Sequence, residues 1–573
     1  MNTFRKLISI VCLLSILFGS HQPLTARTDL VRNPPDRIKD LCYEKLWDSL
    51  LHPTNEKNNR ARQGTLHEIA ELLSKVGYPI ESVIPSRRDF SMLMNQKHQE
   101  DLYRLIDDSI INLCLLIRDP IPIQTTVTVD YTKTIGNIKD LRQVNDGIFS
   151  QSRQGNGSQE TVDNSGKMKE LGMQSIRTHD AFGTMDPKTK KLICGLDMHY
   201  IYPDMNKDPL DPANYQFAIM DKWVQKINEI GASVFFRVGE SWGMDPTPPK
   251  NVDNYAQAVV QILKHYQQGW ANGFYYRIPY WEIWNEPGLK IFWTGTSDQF
   301  ITLYAKIATA LKKEDPSIQV GGPGNAGNFQ NDWYFKFLSY IRDHKIPFDF
   351  YSWHWYGIRP FEANSIARDV QKDLDAFGFY QTKQFITEWN IDVWGSIDGK
   401  KVGNSRERGN QFFNSFFNAG FHGCVLTNLQ DSSVEMAHHY RGDANGFGLL
   451  DEKGSLNRVG VFYQNLNTLM ESPRRLVTVS NPMQEAFTVL AGKSLNGNTI
   501  QILVSDARIG ENPYKLTINN LPRNKKIDLI ITRFNQDHPL GFIETKQFEN
   551  QTTLELEYSL VAPGFDRIEI TLK

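Results

Sequence analysis

The sequence predicts an α/β protein whose centre is a (β/α)8 barrel of the TIM type, with a helical N-terminal region and a C-terminal β-sandwich. Three observations predict this organisation. After Pro122, short apolar runs alternate with amphipathic helices, which is typical of βα units and a parallel sheet. Eight such runs occur, and eight strands close a barrel. Before the barrel the apolar spacing is helical, and after Ser472 it alternates as in strands.

The first 26 residues are typical of a cleaved secretory signal. Two basic residues precede an apolar run from Leu7 to Phe18, and a small-residue cleavage site follows near Ala26. The run is too short to cross a membrane comfortably. We therefore expect a secreted or periplasmic protein that has no membrane span after signal cleavage.

Residues 30–122 are predicted to form a helical domain, because leucine and isoleucine recur there at helical spacing. No catalytic constellation lies in this region, and its role and partners stay open. A disulfide between Cys42 and Cys114 is one expectation for an exported chain, and free buried thiols are the other.

The barrel is predicted to span residues 125–472. A helix is expected after the fourth strand, where Thr296 and Gln299 can form a capping box and Pro316 lies just beyond the end. The predicted strands are 138–144, 173–179, 232–238, 278–284, 318–322, 348–355, 384–389 and 423–429.

A β-sandwich is predicted over residues 473–573. Alternating strands are broken there by Asn-Gly and Pro-Arg turns, as in two-layered β domains. We expect it to pack against the barrel as an accessory domain rather than to bind carbohydrate.

Two glutamates carry the predicted chemistry. Residues 281–287 read Trp-Glu-Ile-Trp-Asn-Glu-Pro, and residues 387–390 read Thr-Glu-Trp-Asn. Glu286 thus follows strand four and Glu388 ends strand seven, at the barrel end where such enzymes place their chemistry. Two carboxyl groups facing one another are what retaining glycoside hydrolysis requires, one as acid/base and one as nucleophile.

Other polar and aromatic residues fall at the same ends of predicted strands. For Asp431 and Arg177, a structural ion pair with each other is weighed evenly with substrate contact, and His179 and His354 could be core histidines. Glu240 is a reserve third carboxylate, with a buried ion pair to Arg237 as its expected role. The predicted substrate-binding residues are Asn285, His179, Arg177, His354, Tyr356, Trp389 and Asp431.

Charge and composition exclude some functions. A net charge of −2 gives no electrostatic footprint for nucleic acid. The cysteine spacing fits no metal-ligand pattern, and the proposed chemistry needs neither a metal nor an organic cofactor. The expected partner is an oligo- or polysaccharide substrate, and the oligomeric state is open.

These motifs resemble glycoside hydrolase family 39, the family of β-xylosidases and α-L-iduronidases. The resemblance covers about residues 125–570 and rests on residues 172–179, 281–287, 320–323, 350–356 and 387–389. It implies that Glu286 is the acid/base, that Glu388 is the nucleophile, and that Asn285, His179 and His354 bind sugar. Iduronidases of the family carry a lysine two positions past the strand-six histidine. This chain has Tyr356 there, as in the xylosidase branch.

The sequence therefore predicts a secreted retaining glycosidase that is most similar to β-xylosidases. One alternative is a uronic-acid or exopolysaccharide glycosidase of the iduronidase kind, in which Arg359 or Arg441 would bind the sugar carboxylate. Alternatives from another class are a polysaccharide lyase and a non-catalytic carbohydrate-binding barrel. Sugar identity, anomeric preference and exo or endo action stay open.

Overall fold

A computed structural model describes most of the chain from Thr125 onward. The predicted signal peptide and helical domain, with Cys42 and Cys114, lie outside the described residues. The described residues are 125–153, 159–180, 182–185, 192–241, 245–327, 331–357, 360–391, 413–444, 446–481 and 486–573.

The strands and helices alternate through the barrel and give way to strands alone near the C-terminus. The strands are β1 (Thr125–Asn137), β2 (Gln143–Asn145), β3 (Phe149–Arg153), β4 (Gln159–Asp163), β5 (Ser175–Thr178), β6 (Phe182–Met185), β7 (Leu192–Cys194), β8 (Ser233–Val238), β9 (Tyr280–Ile283), β10 (Gln319–Ala326), β11 (Phe350–Gly357), β12 (Lys383–Ile391), β13 (Val434–His439), β14 (Arg474–Asn481), β15 (Phe487–Lys493), β16 (Thr499–Asn519), β17 (Lys526–Asn535), β18 (Phe542–Glu549) and β19 (Leu554–Leu572). The α-helices are α1 (Ser165–Glu170), α2 (Met198–Ile201), α3 (Ala218–Glu229), α4 (Val252–Gln268), α5 (Ser297–Glu314), α6 (Asp332–Asp343), α7 (Glu362–Ala376), α8 (Phe416–Asn428) and α9 (Arg458–Leu469).

The predicted barrel is confirmed. Strands β2, β5, β8, β9, β10, β11, β12 and β13 form a closed parallel barrel. The capping box at α5 is present as well: the Thr296 side chain accepts from the Gln299 backbone, and the Gln299 side chain accepts from the Thr296 backbone. Among the described residues, no helix is both long and apolar enough to cross a membrane.

The predicted eighth strand at 423–429 is wrong. Residues 423–428 lie in helix α8, and Leu429 begins the short 3-10 helix that follows. Ser415 caps α8 by accepting from the Asn418 backbone, and the eighth barrel strand is β13. Residues 416–426 of α8 are buried on every side, because the helix lies between the barrel and the strands of the accessory sheet. A helix buried all round is apolar all round, so its pattern resembles that of a buried strand.

The barrel interior is closed below the site by an aromatic layer. Phe235, Phe350 and Phe385 form this layer from three strands, and Tyr280 and Met436 pack against it from two more. Side chains of alternate strand residues fill the interior of such barrels in layers. In β9 the same alternation that points Tyr280 into this layer points Glu282, two residues later, inward one layer higher.

The accessory sheet draws on both ends of the described chain. Its order is β1, β14, β15, β16, β19, β17 and β18, and the second half of β16 also pairs with β1. Strand β1 therefore belongs to this sheet, although the prediction assigned residues from 125 onward to the barrel. Gly420 and Gly423 let α8 approach the sheet closely, because a Cβ on either would lie within 2.5 Å of Asp506 or Ser505 atoms.

Replacing Phe235 by alanine should test the aromatic layer. We expect a loss of about 3–5 kcal/mol in the free energy of unfolding, because the side chain is fully buried between other rings. Urea unfolding measures this loss. Leu495→Ala is the matched control at an exposed position and should change stability by less than about 0.5 kcal/mol.

Candidate active site

The loop after strand β9 presents Glu286 in an unusual backbone conformation. Trp284 has φ 79° and Glu286 has φ 47°, a left-handed region that side-chain-bearing residues rarely adopt. The Trp284 indole donates to the Phe292 carbonyl, and the Glu286 backbone N–H donates to the Gly324 carbonyl. Such strain persists where surrounding contacts over-determine it, and it is common at functional sites.

The two predicted catalytic carboxyl groups lie close together. Glu286, His354 and Glu388 each offer one polar side-chain atom, and these atoms lie within 4.8 Å of one another. His354 Nδ1 lies 2.7 Å from one Glu286 oxygen and 3.5 Å from one Glu388 oxygen. This spacing fits the short carboxyl separation of about 5–5.5 Å that accompanies a nucleophilic, retaining mechanism.

Glu388 is surrounded by hydrogen-bond donors. Arg177 and His179 each donate to Oε1 at 2.8 Å, and the Tyr356 hydroxyl donates to Oε2 at 3.0 Å. Burial alone would raise the pKa of Glu388, but the positive charges of His354, His179 and Arg177 outweigh burial and hold the pKa well below its ordinary value. Glu388 is therefore an ionised carboxylate at neutral pH.

Glu286 has a different environment. Its side chain is 14% exposed, and its partner in the described structure is His354. Burial lowers the pKa of His354, but Glu388 and Glu286 outweigh burial and raise it above its ordinary value. The two carboxyl groups thus share one imidazole, and only Glu388 also has a guanidinium, so their environments differ as two distinct roles require.

Arg177 connects four elements of the barrel. Besides Glu388, its guanidinium donates to Glu282 at 2.6 Å and to the side-chain oxygens of Asn145 and Asn285 at 2.9 Å. The arginine and Glu282 are both fully buried. Asn285 Nδ2 is buried without a hydrogen-bond partner in the described structure, so this amide can still donate to a ligand.

Trp389 does not line the site, contrary to the prediction. Its ring is fully buried, and its indole donates to the Ala437 carbonyl. The centroids of the Trp389 and His422 rings lie 4.5 Å apart. Because successive strand residues point to opposite faces, an inward Glu388 places Trp389 outward against α8.

Asp431 also lies away from the site. It ends a short 3-10 helix that precedes strand β13, so it sits at the amino end of that strand, whereas the site is at the carboxyl ends. Its carboxylate forms a two-bond pair with Arg475 at 2.6 and 2.7 Å. The expected alternative pair with Arg177 is wrong too. Both errors follow from the misplaced eighth strand.

The expected pair between Glu240 and Arg237 does not form directly. Arg237 donates to Asp197 at 2.7 Å, and Glu240 lies 2.8 Å from His199. Burial raises the pKa of Glu240 to about 7, against the opposing effect of His199. Arg237 and Glu240 thus each contact a different residue beside strand β8 and do not pair with each other.

Several polar residues next to the site were missed by sequence reasoning. Glu282 and Asn145 point inward by the two-residue alternation, which could have identified Glu282. Asp146 and Asp180 could not be found this way because they lie in loops. Arg441 is buried among the carboxylates of Asp146, Asp180 and Asp443, and the Tyr440 hydroxyl donates to Asp180 at 2.6 Å.

Two arginines were predicted as alternatives for binding the carboxylate of a uronic acid. Arg359 lies outside the described residues. Arg441 makes two hydrogen bonds to Asp443, at 2.6 and 3.0 Å, so it is already neutralised. Burial raises the pKa of Asp146 to about 6, with Arg441 opposing it. This cluster carries more carboxylates than cations.

Among the described residues, one group has a geometry that could hold a metal ion: Glu286, His354 and Glu388. The oxygens of Glu388 are already occupied by Arg177, His179 and Tyr356, and His354 Nδ1 faces Glu286. Hydrogen-bond donors directed at both carboxyl groups suit carboxylates that act on a substrate better than metal ligands.

A closed parallel barrel with one carboxyl group after its fourth strand and a second, facing one near the carboxyl end of its seventh strand is typical of a glycoside-hydrolase barrel. The family described as Glycosyl hydrolases family 39 matches residues 199–390, so the resemblance expected from the motifs is confirmed over that range.

Three comparisons illustrate the resemblance. A β-xylosidase of Geobacillus stearothermophilus is 33% identical over 118 residues, 20% of this chain and 23% of that protein. A β-xylosidase of Caldicellulosiruptor saccharolyticus is 29% identical over 159 residues, 25% of this chain and 31% of that protein. The structure of a glucosidase from Croceicoccus marinus covers 78% of this chain and 99% of its own, at 25% identity and a TM-score of 0.64. The chain thus spans less than a third of the length of the two curated β-xylosidases. Together these matches indicate a glycoside hydrolase.

Arg177→Met should reveal how far the site depends on one buried charge. It would leave Glu282 buried without its cation, and we expect a loss of about 3–5 kcal/mol in the free energy of unfolding. Chemical denaturation measures this loss. Arg475→Ala removes an ion pair whose acidic partner is 69% exposed and should cost less than about 1 kcal/mol. Equal losses in both variants would contradict the central role of Arg177.

The pH dependence of stability should report the ionised state of Glu388. Because its pKa is lowered in the folded state, Glu388 stabilises the fold fully above its unfolded-state pKa of about 4.5. That contribution is lost as the pH falls through the folded-state value. The free energy of unfolding of the wild type relative to Glu388→Gln should therefore be constant near neutrality and fall in acid. A difference that grows in acid would contradict this assignment.

Proposed function

We propose that the protein is a retaining glycoside hydrolase similar to β-xylosidases, with Glu388 as nucleophile and Glu286 as acid/base. The observation that carries the proposal is the asymmetric carboxyl pair: Glu388 is held ionised by surrounding positive charges, while Glu286 is partly exposed and has His354 as its side-chain partner among the described residues.

In the first step a Glu388 oxygen attacks the anomeric carbon and forms a glycosyl ester. The bond to the leaving oxygen breaks, and that oxygen takes the proton of Glu286. The Tyr356 hydroxyl and Arg177 hold the attacking carboxylate in position through their hydrogen bonds. Burial raises the pKa of Tyr356 well above its ordinary value, so its hydroxyl stays protonated and donates.

In the second step Glu286 acts as a base. It takes a proton from water as the water oxygen attacks the anomeric carbon, and the ester bond to Glu388 breaks to restore the carboxylate. Two attacks on opposite faces of the sugar ring give net retention of configuration. Asn285 supports these steps, because its unpartnered amide can donate to a sugar hydroxyl.

The surroundings of the site favour a neutral sugar. Asp146, Asp180 and Asp443 surround the guanidinium of Arg441, which is already paired with Asp443. An anionic sugar would be repelled by this excess of carboxylates. Tyr356 occupies the position where the iduronidase branch has lysine. These observations argue against a uronic-acid substrate, and the matched β-xylosidases favour a xyloside.

A glucoside is the second candidate substrate. The solved structure of the Croceicoccus marinus glucosidase matches this chain over nearly its whole length. A glucoside differs from a xyloside by the hydroxymethyl group at C5, so the two substrates differ in the space that they need and not in their charge.

Azide rescue tests the mechanism and the roles of the two glutamates. Glu388→Ala should lower kcat on the order of 10⁴-fold or more, and added azide should restore turnover with a glycosyl azide of inverted configuration. Glu286→Ala should give the azide product with retained configuration and lose most activity on substrates with poor leaving groups. Glu240→Ala is the control carboxylate, and azide should form no glycosyl azide with it. A fully active Glu388→Ala would overturn the proposal.

A substrate panel tests the sugar. We expect aryl β-xylosides or β-glucosides to be cleaved with kcat/KM at least about 100-fold above that for aryl α-L-iduronides, a difference of about 2.7 kcal/mol. Preferred cleavage of the iduronide would contradict the charge argument. Ultraviolet absorbance of a new double bond would instead show lyase action, and binding without turnover would show a carbohydrate-binding barrel.

The secreted or periplasmic location rests on the predicted signal of residues 1–26 and is part of this proposal. N-terminal sequencing of the protein exported by its host should give a mature chain that begins directly after Ala26. Retention of Met1 would contradict export by this signal.

A further inference from the structure

Strand β18 is the free edge of the accessory sheet. It is last in the strand order and pairs with β17 alone among the described strands. Its outward side therefore presents backbone N–H and C=O groups with no partner strand in the described structure. Proteins normally blunt such edges, because an open edge is a template for pairing with another chain.

Apolar side chains are concentrated beside this edge. Leu540 is 96% exposed, Ile543 is 64% exposed and Phe542 is 46% exposed. Scattered single exposed apolar residues are common on protein surfaces, whereas neighbouring ones mark an interaction site. The edge thus combines unpaired backbone groups with an exposed apolar segment.

The sequence of β18 is self-complementary. The strand reads Phe-Ile-Glu-Thr-Lys-Gln-Phe-Glu over Phe542–Glu549. In an antiparallel pair with a two-fold axis at Thr545, Glu544 lies opposite the partner's Lys546, and Phe542 lies opposite the partner's Phe548. These four residues alternate along the strand and so share one face of the sheet.

Neighbouring registers lack this match. An axis at Glu544 would place two glutamates opposite each other, and an axis at Lys546 would place two lysines opposite each other. Like charges directly opposite one another destabilise a strand pair. Within one chain Glu544 and Lys546 lie 2.9 Å apart, so both charges are already on the face where the partner's charges would lie.

We propose that β18 pairs antiparallel with β18 of a second copy of this chain, centred on Thr545, so that the accessory sheet continues through a two-fold dimer. A two-fold interface places the same patch of both subunits in contact, which is what a self-complementary strand supplies. The interface involves one short strand from each copy, so the dimer is weak, with a Kd roughly in the micromolar range. This inference goes beyond the proposed catalytic function and does not depend on it.

Sedimentation velocity of the full chain, from about 1 to 100 µM, tests the dimer. We expect a concentration-dependent monomer–dimer equilibrium. Glu544→Lys and Lys546→Glu should each raise the Kd by at least about tenfold, because each places like charges opposite one another twice across the two-fold axis.

Restoring the charge match should restore the dimer. An equimolar mixture of the two single variants should associate as the wild type does, since one chain then carries two lysines and the other two glutamates. The double variant Glu544→Lys with Lys546→Glu should also dimerise. Lys372→Glu on α7 is a control charge reversal at a side chain that is 76% exposed, and it should leave the equilibrium unchanged.

Lys546 also donates to the Tyr558 hydroxyl within its own chain at 3.2 Å, so thermal unfolding of every variant must accompany the measurement. A chain that stays monomeric at all concentrations overturns the proposal, as does a dimer that neither single variant weakens. Hydrogen exchange that finds the outward amides of β18 protected in the monomer assigns the edge to another segment of the same chain, and this too overturns it. Glycoside hydrolysis by all variants should be unchanged, so failure of the dimer and failure of the proposed activity are distinguishable.

Discussion

The guanidinium of Arg177 is the constraint on which the rest of the site depends. A fully buried positive charge is costly unless every donor finds a partner and nearby charges neutralise it. Here two carboxylates, Glu282 and Glu388, and two amides, Asn145 and Asn285, receive its hydrogen bonds. These partners come from the first, fourth and seventh barrel strands and the loop after strand four. Moving any one of them would leave the arginine partly unpaired, so these contacts hold the carboxyl ends of the barrel strands in register around Glu388.

The charge distribution beyond Arg177 separates the two glutamates. Glu388 accepts hydrogen bonds from an arginine, a histidine and a tyrosine, whereas the side-chain partner of Glu286 in the part of the chain that the structure describes is His354. An ionised carboxylate therefore faces a second carboxyl group within a few ångströms, an arrangement that double displacement uses. The nearby aspartates around Arg441 form a second layer. They add negative charge beside the site, whereas the donors that keep Glu388 ionised lie around Glu388 itself.

The accessory sheet and the barrel are joined through helix α8. Gly420 and Gly423 bring the helix backbone against Asp506 and Ser505 of β16. On the barrel side of the helix, His422 packs against Trp389, which follows Glu388 in strand β12. The strand carrying Glu388 is therefore supported from outside by a helix that the sheet covers. Strand β1 precedes the barrel and pairs with β14 and β16, which follow it, so both ends of the described chain lie in the same sheet.

The first barrel strand lies at Gln143–Asn145 and only partly overlaps the predicted 138–144. The sequence by itself determined the barrel, its second to seventh strands and the positions of Glu286 and Glu388, because these depend on local periodicity and on strand ends. It misplaced the eighth strand, and Asp431 with it, since a helix buried on all sides has the same apolar run as a buried strand. The alternation of strand residues already implies that Trp389 points away from Glu388. Only the tertiary structure decided that Glu282 and Asn145 partner Arg177. Those roles arise between residues far apart in the chain, and strand pairing, not local pattern, sets which of them meet.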